Sequence, residues 1–196
     1  MPAYPYATPN NVLKEQLKLQ EHPEGGYFAE TDRRKEETRS PFADGASRSL
    51  ATQIYYLLDA KSPRGKLHLN KSVTYHLHHS GRARYTLLRP STKSTGPPEI
   101  KQYVVGPDVE KGELLQLVVE GGWWKCSELL DEDLVAGTSE GPDGQDRTGC
   151  LISEVVVPGF DWHDHAFLTK KGLLEIFHND NQAEWYQKLV EYAKDE

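Results

Sequence analysis

The chain reads as an all-β fold, an antiparallel sandwich or barrel with a short helix at each end. Three observations predict it. Eight or more short β-rich runs follow one another closely between residues 26 and 157. Turn signals separate them: SPRG at 62–65, HSG at 79–81, GPD at 106–108 and EGG at 120–122. No helical pattern interrupts the series, which argues against a parallel sheet with crossover helices.

Taken in order, residues 9–20 place Leu13, Leu17 and Leu19 among Lys and Glu, with Asn10 or Asn11 as a possible cap. This predicts an N-terminal helix. Residues 26–31 form a short aromatic strand, and LATQIYYLL (50–58) a largely apolar one. Strands at 65–70 and 73–79 flank a turn, and further strands are expected at 83–88, 100–105, 114–119, 123–128 and 151–157. Residues 89–98 and 137–149 read as polar loops. GLLEIFH (172–178) predicts a short helix or turn. It leads into a second terminal helix over 183–194, where Trp185, Leu189, Val190 and Tyr192 alternate with charges. No repeat or linker divides the chain. One domain over 1–196 is expected, with its core about 22–168 and helical extensions at 9–20 and 183–194.

The 196 residues carry a net charge of −7 and no basic stripe, so no nucleic-acid partner is expected. The start lacks the basic and apolar regions of a leader, and no run approaches the ~18 apolar residues of a membrane span. A cytoplasmic protein with no membrane partner is expected. Cys126 and Cys150 show no paired spacing, so neither a zinc knuckle nor a redox pair is indicated. Cys126 reads as a core residue.

Several motifs come in a fixed order: HPEGGYFAETDR (22–33), IYYLL (54–58), GKLHLN (65–70), QLVVEGG (116–122) and SEVVVPGFDWHDH (153–165). Together they resemble the cupin-5 branch of the cupin superfamily, over roughly residues 17–168. The resemblance implies a double-stranded β-helix, the RmlC-like cupin jelly roll, and a homodimer. It also implies binding of a small molecule, with sugar-epimerase-like activity among the roles of the wider group.

Metal-binding cupins hold an ion with three His and one Glu. Carried onto this chain, the first His falls on His68 and the second on Asn70. The Glu falls near Thr74, and the last His on Lys125. An ammonium has no lone pair to donate and repels a cation. No metal and no cofactor are therefore expected. A rearranged cluster of His68, His76 and His78 is the alternative that would restore a divalent ion.

GKLHLN is also similar to the stretch that carries the catalytic base in metal-free dTDP-sugar epimerases. His68 is then the expected base, and Lys125 a cation for the developing enolate. His76 shares the inward parity of Thr74, and Glu154 is an inward carboxylate in need of a partner. The expected catalytic set is His68, His76, Lys125 and Glu154. The expected ligand-binding set is Asn70, Thr74, Glu24, Tyr27, Tyr56, Gln116 and Trp123. Tyr27, Tyr56 and Tyr75 are equal candidates to return a proton, and no carboxylate partner for His68 can be assigned. Gln53 and Gln116 could line the pocket or face solvent. His78 and His79 read as exposed strand-end residues, and DWHDH (161–165) as a loop at the rim. The expected function is a metal-independent isomerase, epimerase or lyase acting on a small carbonyl or sugar-like compound. A non-catalytic ligand-binding protein and a divalent-metal enzyme are the alternatives.

Overall fold

The computed structural model describes residues 4, 5, 7–93 and 96–196; Ser94 and Thr95 of the expected 89–98 loop lie outside the described residues. Among the described residues, helix α1 (Asn10–Gln16) leads into thirteen strands. These are β1 (Gln20–Glu21), β2 (Tyr27–Arg33), β3 (Glu37–Arg39), β4 (Ser47–Ser49), β5 (Thr52–Asp59), β6 (Arg64–Asn70), β7 (Val73–Gly81), β8 (Ala83–Arg89) and β9 (Glu99–Val105), then β10 (Gln116–Val119), β11 (Trp124–Glu128), β12 (Gly149–Val157) and β13 (His165–Phe167). Helices α2 (Asp131–Ser139) and α3 (Gly141–Gln145) precede β12, and α4 (Lys170–Ile176) and α5 (Glu184–Leu189) follow β13.

Two antiparallel sheets make the jelly roll. One runs β1-β2-β5-β12-β7-β10 and the other β13-β6-β11-β8-β9, while β3 and β4 form a separate hairpin. Strand parity sorts the side chains. Tyr56, Leu58, Leu117, Val119 and Ile152 from the first sheet meet Ala83, Tyr85, Leu87 and Val105 from the second in the main core. The outer faces are covered too. Helix α1 lays Leu13 and Leu17 over Leu57 and Leu151. The C-terminal helices bury Leu67, Leu88 and Cys126 under Leu173, Phe177, Leu189 and Tyr192. Covering on both faces explains why 54–58 reads as an unbroken apolar run rather than an alternating one.

The structure departs from the sequence expectations at several places. The first helix stops at Gln16, because Leu17 caps it and Lys18 takes φ 55°. Asn10 does not cap it but lies buried, its side-chain amide donating to Thr148 O. The C-terminal helix divides into α5 and a 3-10 turn, Val190–Tyr192. The expected loop 137–149 holds the end of α2 and all of α3. The β3–β4 hairpin and β13 were not expected, and β13 makes the end of DWHDH a strand paired with β6 rather than loop. His78 is half-buried within β7 and its Nε2 lies 2.8 Å from Gly81 O, because the strand continues to Gly81. His79 is exposed as expected, beside Ser153 Oγ at 2.7 Å. Among the described residues no helix is long and apolar enough to cross a membrane.

Candidate active site

Register brings the polar residues together. β7 and β12 pair His76 with Glu154, β6 and β11 pair His68 with Lys125, and β6 and β13 pair Asn70 with His165. All six positions have inward parity. Two contact groups result, each centred on a carboxylate.

The first is Glu154, Lys125 and His76. Lys125 Nζ donates to Glu154 Oε2 at 3.1 Å and lies 2.6 Å from His76 Nε2. His76 Nδ1 is 3.2 Å from Leu117 O, an atom that can only accept, so the ring proton sits on Nδ1. His76 Nε2 is then an acceptor for Lys125. Burial and the neighbouring Lys125 charge push the His76 pKa down, which keeps the ring neutral. Burial works against ionisation of Glu154, but Lys125 and His76 outweigh it and hold the carboxyl well below the usual range.

The second group surrounds Glu24. His165 Nε2 lies 2.8 Å from Glu24 Oε1, and His68 Nε2 lies 3.2 Å from Oε2. The His68 and His165 rings stack with centroids 5.5 Å apart. His68 Nδ1 is 2.8 Å from Lys66 O, which fixes its proton on Nδ1 and leaves the Nε2 lone pair facing Glu24. His22 Nδ1 accepts from the Glu24 backbone N–H at 3.1 Å. Burial alone would raise Glu24, but His68, His165 and His22 bring it down to about 2. Burial, only partly offset by Glu24, pushes His68 down to about 4. Glu24 is the carboxylate partner of His68 that could not be assigned from the sequence.

Both groups border a cavity of about 370 Å³. Glu24, Glu154, Asn70, Tyr56 and His22 supply its polar lining, and Phe28, Ile54, Val156, Phe160 and Trp162 its apolar walls. Glu30 and Arg33 form an ion pair at the rim, 2.7 Å apart, and Asp161 and His163 lie beside them. Tyr56 OH donates to Gly25 O at 2.9 Å, and burial raises its pKa well above the usual phenol value.

Of the expected catalytic residues, Glu154 lines the cavity, whereas His68, His76 and Lys125 stand behind the two carboxylates. Lys125 is engaged with Glu154 and His76 and does not line the cavity, where an enolate-stabilising cation is expected. Of the expected ligand-binding residues, Glu24, Asn70 and Tyr56 line the cavity. Four expectations need correction. Thr74 is buried next to Ser72 and Lys125 in a separate small void. Trp123 is buried in the core, with Arg89 and Lys101 against its ring at 4.4 and 4.8 Å. Tyr27 has the opposite parity to Phe28 and lies under Lys14 on the outer face. Gln116 is exposed on the edge strand β10. Tyr75 is likewise 41% exposed, which leaves Tyr56 as the tyrosine of the three that borders the cavity.

His22 and His165 were missed. His165 could have been found by reading HDHAF as an alternating strand rather than a loop. His22 carries no local signal beyond the Gly25-Gly26 turn that follows it.

The residues do not fit the ion of metal-binding cupins. The Lys125 ammonium sits between His76 and Glu154, at the position of the last ligand. The alternative cluster of His68, His76 and His78 does not assemble, since each ring is committed elsewhere. Among the described residues no group of three or more His, Cys, Asp or Glu is placed to hold a metal ion.

A family model described as Cupin superfamily (DUF985) matches residues 12–168. "Uncharacterized protein YML079W" of Saccharomyces cerevisiae is 40% identical over 169 residues, covering 82% of this chain and 75% of that protein. Among solved structures, a hypothetical protein from Leishmania major superposes with a TM-score of 0.75 at 27% identity, covering 96% of this chain and all of its own. Protein SO0799 from Shewanella oneidensis does so with a TM-score of 0.68 at 22% identity, covering 96% of this chain and 99% of its own.

Proposed function

The chain belongs to the DUF985 family of the cupin superfamily, and from that premise we propose that its cavity binds a small carbonyl compound and moves a proton on it. The observation that carries this reading is the Glu24–His68 pair at the cavity wall, with the His68 tautomer fixed by Lys66 O. Glu24 takes a proton from the carbon next to the ligand's carbonyl. The C–H electron pair moves into the enolate. The proton is then shared with His68 Nε2, whose lone pair already faces the carboxylate. The Glu24–His68 pair then returns the proton, so Glu24 ends as the carboxylate it began as. Return to the same carbon gives exchange with solvent, and return to another carbon of the enolate gives isomerisation. Loss of a neighbouring group from the enolate gives a lyase. Lys125 and His76 hold Glu154 ionised and in place.

The test is solvent-deuterium incorporation, read by proton NMR, into dihydroxyacetone, pyruvate and aminoacetone. Wild-type protein is expected to exchange at least one, and His68→Ala to lose the exchange. A wild type that exchanges none of them rejects proton transfer. The second reading is simple binding: its neighbours hold Glu24 down to about 2 and burial pushes His68 down to about 4, which leaves both weak bases at neutral pH.

A further inference from the structure

Charge is not balanced along the cavity. Glu154 has Lys125 as its counter-charge. Glu30 has Arg33, whose guanidinium also donates to Phe160 O at 3.0 Å. Asp161 has His163 at 2.6 Å and, farther off, Arg48 at 3.9 Å. Glu24 is buried, and among the described residues its polar side-chain contacts are three imidazoles and no lysine or arginine. Of these, His22 uses Nδ1 as an acceptor and His68, protonated on Nδ1, turns its Nε2 lone pair to Glu24, so neither is an imidazolium. Glu24 is thus held as a carboxylate on the cavity wall with no lysine or arginine at contact distance.

The same cavity is lined by four aromatic rings, those of Phe28, Tyr56, Phe160 and Trp162. Phe160 and Trp162 meet edge to face at 5.0 Å. Trp162 is 55% exposed at the rim, where its ring is open to a ligand. Aromatic faces attract cations, and carboxylates complete the match. An anionic ligand is repelled by Glu24 and Glu154, and a neutral polyol gains no charge attraction from them.

We propose that the cavity takes a ligand carrying an alkylammonium group, held between the aromatic walls and the Glu24 carboxylate. This names the ligand class of the site proposed above. It rests on that cavity being the ligand site and is independent of proton transfer.

The experiment is isothermal titration of the full chain with choline, tetramethylammonium and neohexanol, the uncharged carbon isostere of choline. Choline is expected to bind saturably and roughly tenfold tighter than neohexanol, and Trp162→Ala to weaken it about fivefold. Trp162 is half-exposed, so this variant keeps its fold; Glu24→Gln is the second variant and is also expected to weaken choline. Neohexanol binding as tightly as choline overturns the inference. So does failure of both cations to bind, or a choline affinity unchanged in both variants. Choline binding without deuterium exchange sinks proton transfer alone, and exchange without cation preference sinks this inference alone.

Discussion

His68 Nε2 faces Glu24 Oε2 across 3.2 Å while its Nδ1 is tied to Lys66 O at 2.8 Å. Since the Lys66 carbonyl can only accept, a neutral His68 presents a lone pair to a carboxylate, and the gap between them is a place for a proton.

That arrangement sets the acid response of the fold. His68 binds protons less well folded, at about 4, than at its ordinary 6.5, and Glu24 at about 2 against 4.5. In both cases the unfolded chain takes up protons first. The stabilisation is complete above the ordinary value. It is lost from His68 as the pH falls from 6.5 toward about 4, and from Glu24 between 4.5 and about 2. Urea midpoints are expected to fall steadily on acidification from neutrality. His68→Gln should flatten that slope by an amount on the order of 2 kcal/mol. His22 and His76 shift in the same direction, so a residual slope remains. A slope identical in wild type and His68→Gln contradicts the assignment.

Lys125 is 3% exposed and bonds a carboxylate that is itself buried. Lys125→Met is expected to destabilise the protein by about 3–5 kcal/mol, because Glu154 is left charged and unpaired. Lys125→Met with Glu154→Gln removes both charges and should recover more than half of that loss. Denaturant unfolding of the two single variants and the double variant measures the coupling. Additive losses would mean that the two side chains do not depend on each other.

How far the sequence reveals this site depends on which neighbours are local. Strand parity and motif alignment place His68, His76, Lys125 and Glu154 on inward positions, because alternation within a strand is a local property. The partners that define their chemistry come from elsewhere. Glu24 sits in the turn before β2 and His165 on β13, 141 residues apart, and only the fold joins them. Gln116 and Tyr27 show the reverse: their residue types suit a pocket, but their parity turns them to the outer face. The strands were readable from β-rich runs between turns. The β3–β4 hairpin and α2–α3 were not, since ETR, SRS and DEDLVAGTS carry little apolar pattern and are held by long-range contacts.

The Gly25–Gly26 turn is what delivers Glu24. Gly25 has φ 98°, and a Cβ there would stand 2.3 Å from Arg64 O. Its own carbonyl accepts from Tyr56 OH. Gly25→Ala is expected to cost about 2 kcal/mol or more, from the backbone strain and the shift of Arg64. Its effect on ligand affinity should exceed that of Gly112→Ala, where φ is 83° but no atom lies within 4 Å of the added Cβ. Thermal unfolding and choline titration of both variants separate the two. Equal losses at both positions would assign the effect to backbone strain alone.

The rim is braced by a buried ion pair. Arg48 Nε and Nη2 reach Asp164 at 2.7 and 3.0 Å, and the Asp164 side chain is 5% exposed. The pair pins the β3–β4 hairpin to the segment that carries Phe160, Trp162 and His163. That segment is also stitched by Gly159 N to Ser49 O at 2.7 Å and Phe160 N to Thr52 Oγ1 at 2.9 Å. Among the described residues, removing Arg48 leaves the buried carboxylate with Lys71, 3.7 Å away and itself half-exposed. Arg48→Met is therefore expected to cost about 2–4 kcal/mol. Asp164→Asn should cost less, because Arg48 can turn its guanidinium toward water. Since the backbone stitches remain, Arg48→Met should loosen the rim without unfolding the barrel. Amide hydrogen exchange is expected to quicken over 160–165 and to stay slow in β5, β7 and β12. Uniform quickening across all of these strands would show that the pair supports the whole fold rather than the mouth of the cavity.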